Sequence, residues 1–182
     1  MALAAGSYEL GPGNGTLSVR TKKAGAAAVA AHNLLIEVGT WQARLEIGED
    51  STPTRIELTA DSRSLKVIDA TGGVTSLADD DKAGITQTIN EDVLKGTSIA
   101  FASSGIQSDG VPGRAQVTGE LELAGQRHPI AFELETDAEG RITGSATVMQ
   151  TRWGIKPYSA LFGTLKVIDE VAVEIAAQLP QD

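Results

Sequence analysis

The chain has no cysteine. That one absence removes disulfides, thiolate nucleophiles and cysteine-based zinc sites together. Aromatic residues are scarce at 4%, with two Trp, two Tyr and three Phe, so each large ring needs a definite place. No stretch approaches the roughly 18 to 20 apolar residues that a membrane-crossing helix requires. Basic runs are missing too, and the net charge is −9. A nucleic-acid face needs clustered Lys and Arg to displace counterions, so that partner class is excluded. The same acidity makes stable attachment to an anionic membrane unfavourable unless a local basic patch exists. The N-terminal MALAAGSYELGPGNG carries no Lys or Arg ahead of a long apolar run, unlike a secretory leader. The expected compartment is the cytoplasm.

What is present is the composition of a folded domain: 182 residues, 41% apolar and 21% charged, a size at which a single core covers its own strands. Residues 1–182 read as one domain. The dominant signal is alternation with period two. Trp41, Ala43, Leu45 and Ile47 share a phase, as do Ile56 and Leu58, and Ile99 and Phe101. Val117, Gly119, Leu121 and Leu123 alternate with Gln116, Thr118, Glu120 and Glu122. Across the turn at Ala124–Arg127, Ile130, Phe132 and Leu134 return in phase, which predicts a hairpin. Further runs are Arg141 to Val148, Glu170 to Ala177, Tyr8 to Leu10, Thr16 to Arg20 and Leu34 to Val38. So many short strands, each apolar on one face, predict an antiparallel barrel or sandwich. Small inward residues, Ala43, Gly119, Gly144 and Ala146, either under-fill the interior or sit opposite larger neighbours.

Two segments break the alternation. Lys23 to His32 is Ala-rich and predicts a helix stopped near Asn33. Asp79 to Lys95 places Ile85, Ile89 and Val93 at helical spacing behind acids suited to a helix start. The stretch from Thr151 to Val167 is irregular, with room for a short helical turn.

Catalytic signals are thin. There is no H-E-x-x-H, no paired His at metal spacing and no G-x-S-x-G. His128 stands before Pro129 at a strand start, which suits an exposed or backbone-bonded ring. His32 closes the Ala-rich segment and is a candidate lining residue. Gly11-Pro12-Gly13-Asn14-Gly15 has neither the lysine nor the following helix of a phosphate loop and reads as a turn. Asp79-Asp80-Asp81 resembles the start of a calcium loop, yet Ala83 falls at a ligand position and Asn90 replaces the closing Glu. It reads as a solvated helix start. Arg152-Trp153-Gly154-Ile155-Lys156-Pro157-Tyr158 followed by Leu161-Phe162 gathers rings and cations. Those residues either plug one end of the barrel or frame a pocket mouth, with Arg152 or Lys156 meeting an anionic head group.

The order of these motifs resembles the YceI-like family over nearly the whole chain, Tyr8 to Leu179. Tyr8-Glu9-Leu10 opens it, and Ile56-Glu57-Leu58 with Ser62-Arg63-Ser64-Leu65 is similar to a family strand leading into a Ser-Leu element. Ile99-Ala100-Phe101-Ala102-Ser103 matches an I-x-F-x-S strand, and Val117 to Gly125 a V-x-G-x-L-x-L-x-G run. Arg152-Trp153-Gly154 and Val167-Ile168-Asp169-Glu170-Val171 resemble the closing steps. The Ala-rich Ala24 to Ala31 departs from the family pattern.

The resemblance implies a lipocalin-like barrel of about eight strands with one or two short helices, and a carrier of a long polyisoprenoid. The ligand would be a prenyl pyrophosphate or an isoprenoid quinone, with no catalysis, no metal, no cofactor and no stable membrane anchor. Inward phase then selects Trp41, Leu45, Phe101, Leu121, Phe132 and Val173 as lining residues, with His32 beside them. Trp153, Tyr158, Leu161 and Phe162 would frame the entrance, and Arg152 would meet the head. The alternative is a barrel filled by its own side chains that serves as an interaction module. An enzyme would need an inward acid or base. A homodimer is left open.

Overall fold

Alternating runs become strands because a pleated strand can bury only every second side chain. The computed structural model describes residues 3–160 and 165–180. Its first strands are β1 (Gly6–Leu10), β2 (Gly15–Arg20), β3 (Lys23–Ala24), β4 (Asn33–Val38), β5 (Trp41–Ile47) and β6 (Pro53–Asp61). β7 (Leu65–Thr71) precedes α1 (Asp79–Thr88), which continues as a π turn over Ile89–Val93. β8 (Ser98–Ser108), β9 (Arg114–Leu123), β10 (Gln126–Thr136) and β11 (Arg141–Met149) follow. β12 (Ser159–Ala160), β13 (Leu165–Val167) and β14 (Glu170–Gln178) come last.

Eleven of these strands form one antiparallel sheet, in the order β1-β5-β6-β8-β9-β10-β11-β14-β2-β4-β7. A separate small sheet orders β12-β13-β3. The large sheet curls so that inward side chains from strands as far apart as β5 and β14 face one interior. Its edges are β1 and β7, and no ladder joins them among the described residues. The fold is therefore all-β as expected, but an open curled sheet with more strands than the eight of a simple closed barrel. The hairpin predicted at Ala124–Arg127 forms around a two-residue turn. Leu123 pairs with Gln126, and Ala124 and Gly125 take φ values of 50° and 76°, the geometry that matches strand twist.

An open edge strand exposes unpaired backbone groups. At β7 the helical segment covers them. The Val67 N–H donates to Thr86 Oγ1 over 3.0 Å, and Asn90 Nδ2 donates to the carbonyls of Leu65 and Arg63 over 3.1 and 3.2 Å. The acidic start of this helix is a solvated first turn, as expected. Asp81 Oδ2 accepts the Ala78 N–H at 3.1 Å, and Asp79 reaches Lys82 at 3.6 Å.

The helix expected over Lys23–His32 does not form. The segment holds β3 and one 3-10 turn, Ala28–Ala30. Gly25 takes φ 99°, the Lys23 N–H donates to Asn33 Oδ1 at 2.9 Å, and β3 pairs with β13. These tertiary and turn bonds outweigh the modest helix preference of Ala. The irregular stretch after Thr151 does hold a helical turn, Gln150–Trp153, ended by left-handed Gly154.

Candidate ligand-binding site

The curled sheet and the helical segment enclose a cavity of about 910 Å³. Its walls are the inward phases of the strands. Leu45 on β5, Phe101 on β8, Leu121 on β9, Phe132 on β10 and Val173 on β14 all line it, as the sequence phase predicts. Phe101 and Phe132 meet edge-on, with ring centroids 5.5 Å apart. Gly119 makes room for that pair, since a Cβ there would lie 2.5 Å from Phe101 Cζ. This glycine faces a larger neighbour and leaves no space. Ala43, Gly144 and Ala146 do line the cavity, so of the two readings of the small inward residues each holds at different positions.

α1 and its π extension supply a wall that alternation could not reveal. Ile85, Ile89, Val93 and Leu94 point into the cavity. Helical spacing identified the apolar stripe, but only the docking of α1 on β7 places it there.

The aromatic cluster divides. Trp153 is only 1% exposed and lies outside the cavity lining. Its indole N–H donates to the Leu121 carbonyl at 3.0 Å, and its ring meets His128 edge-on at 5.4 Å. It is a packing anchor, so the plug reading applies to it and the mouth reading does not. Arg152 sits 5.7 Å over that ring, exposed and outside the lining. Trp41 is likewise buried core at the start of β5 and does not line the cavity. Phase correctly turned the Trp41 indole inward, but phase does not fix depth. Tyr158 does reach the cavity, while Leu161 and Phe162 lie outside the described residues.

His32 lines the cavity, half-buried, with Nε2 at 2.7 Å from the Thr75 carbonyl. The other polar lining groups include Lys156 and Lys166 beside Tyr158, and Asp80 and Asp81 on α1. Lys166 was not anticipated, because β13 is too short to show a pattern. Among the described residues no cluster of His, Asp and Glu could hold a metal ion. No described helix is long and apolar enough to cross a membrane.

The perturbed carboxylates lie elsewhere. Ser98 Oγ donates to Glu122 at 2.6 Å and Arg127 adds a bond at 2.8 Å, and together they hold the Glu122 carboxyl below its usual range. Asp50 is lowered by the Thr52 hydroxyl and N–H. Neither residue lines the cavity, so the site is an apolar chamber with a polar rim.

The YceI-like domain, as a family model, matches residues 8–179. Among solved structures, BcnA of Burkholderia cenocepacia is similar with a TM-score of 0.64 at 17% identity, over 89% of this chain and 94% of that one. The YceI protein of Campylobacter jejuni has a TM-score of 0.53 at 12% identity, over 81% of this chain and 85% of that one. At these identities the likeness is one of fold. No curated protein matches the chain.

Proposed function

Because this chain belongs to the YceI-like family, a non-catalytic binding and transport family, we propose that it binds and carries a long polyisoprenoid lipid inside the curled sheet. The observation that supports this reading is the cavity of about 910 Å³, walled by the aliphatic and aromatic inward faces of the strands. Pockets for small ligands run to about 1,000 Å³, so this one is at the large end. Each buried CH₂ contributes roughly 0.8 kcal/mol. Losing rigid-body freedom on binding costs about 4–15 kcal/mol, and ordering the flexible chain adds to it, so much of the total is cancelled. An interior of this volume also weighs against the reading in which the protein's own side chains fill the barrel.

Titration with polyprenyl lipids of increasing length tests the reading. Affinity is expected to rise with each unit and to level off once the chamber is full. Leu121→Arg, in a variant whose circular dichroism matches the parent, is expected to lose binding. Unchanged affinity in that folded variant contradicts the interior site.

A further inference from the structure

Single exposed apolar residues are ordinary on protein surfaces; convergence of several is not. Among the described residues the most exposed large apolar side chains are Val29 and Val74 at 71% and Tyr158 at 59%, ahead of Val111 and Met149 at 47%. These three come from distant parts of the chain, on segments that all border the cavity. Val29 lies in the 3-10 turn Ala28–Ala30, and Ala30 and Ala31 line the cavity. Val74 adjoins Thr75, whose carbonyl contacts the lining residue His32. Tyr158 is itself a lining residue. β13 packs on the 3-10 turn and pairs with β3 and β12, which ties these segments into one rim.

Four lysines gather at this rim of an otherwise acidic protein. Lys156 and Lys166 line the cavity, and Lys22 and Lys23 lie beside and within β3. None of the four has a carboxylate partner among the described residues, which is also true of Lys66, Lys95, Arg63 and Arg152 elsewhere, so it is their clustering that marks this rim. Lys23 Nζ donates instead to the Ala31 carbonyl at 2.8 Å. The lining carboxylates Asp80 and Asp81 belong to α1, which packs on β7 rather than on the small sheet.

We propose that this rim, formed by the Ala28–Ala30 turn, the loop at Val74 and the sheet β12-β13-β3, docks transiently on an anionic phospholipid bilayer. The cavity exchanges its ligand with the membrane through that face. Valine and tyrosine tips enter the headgroup boundary while lysines reach the lipid phosphates. The remaining surface, with the chain's net charge of −9, is repelled by the same bilayer. Repulsion orients the mouth toward the lipid and keeps attachment reversible. Docking stands on the rim alone, and the exchange step rests on the lipid-carrier reading above.

The test uses the full chain with phosphatidylcholine vesicles, with and without phosphatidylglycerol. Both native tryptophans are buried, so Val74→Trp adds a reporter whose emission should shift to the blue on docking. Co-sedimentation is expected with anionic vesicles at low salt. It should fade as the screening length falls from about 8 Å to about 3 Å. Lys156→Glu with Lys166→Glu is expected to weaken it at least about tenfold, and Val29→Asp with Val74→Asp to weaken it as well. No blue shift and no co-sedimentation at low salt overturn the proposal, as does equal binding to neutral vesicles. Lipid titration without vesicles separates the two readings. A chain that binds prenyl lipid but ignores vesicles contradicts docking alone, and one that docks but takes up no lipid contradicts the carrier reading alone.

Discussion

The Trp153 indole N–H donates to the Leu121 carbonyl at 3.0 Å. It thereby fastens the Gln150–Trp153 turn near the end of β9, on the strand whose Leu121 side chain lines the cavity. The anchor thus holds a cavity wall without being part of it. Trp153→Phe loses that bond and some packing, and is expected to cost about 2 kcal/mol of stability. Denaturant unfolding measures the loss. Lipid affinity of the folded variant should stay near the parent value, whereas a residue of the mouth would change it.

Gly119 is held small by its neighbours. A side chain there meets the Phe101 ring and the Ala102 carbonyl, so Gly119→Ala should destabilise by about 1–3 kcal/mol through overpacking. Ala146→Phe makes the opposite case, because Ala146 lines open space. It should retain the fold and move the preferred lipid to shorter chains, which a competition assay with prenyl alcohols of graded length would detect.

Binding kinetics should depend on how α1 is fastened. Thr86→Val leaves the Val67 N–H on the edge strand without its acceptor, a loss of about 1–3 kcal/mol for a buried donor. Hydrogen exchange at the amides of α1 is expected to quicken. Ligand release should quicken with it, since this helical segment forms one cavity wall.

The Glu122 carboxyl is held below its usual range by Ser98 and then by Arg127. A depressed carboxyl stabilises the folded chain above the unfolded carboxylate range, and this contribution is lost as pH falls through the folded value. Melting of the parent and of Glu122→Gln should therefore differ at neutral pH and converge in acid. A gap that persists undiminished in acid would contradict this assignment.

Alternation made most of the sheet legible. β5 spans Trp41 to Ile47 as the period-two pattern predicts, and its inward phase is the buried one. β7 escaped notice because Leu65 and Val67 turn inward while Ile68 is exposed beside them, which blurs the pattern. The Ala-rich segment misled because local propensity cannot register a strand partner some 140 residues away, at β13. Lining residues on the strands were readable from phase. The depth of Trp41 and Trp153, the helical wall at Ile85 and Ile89, and the rim lysines all depend on tertiary placement, on which periodicity is silent.

Native mass spectrometry of the protein purified gently from its own cells, followed by organic extraction, tests the central claim most directly. A polyprenyl species bound at close to one per chain is the predicted result. A chain that arrives empty, and still takes up no prenyl lipid when offered it, would contradict the account.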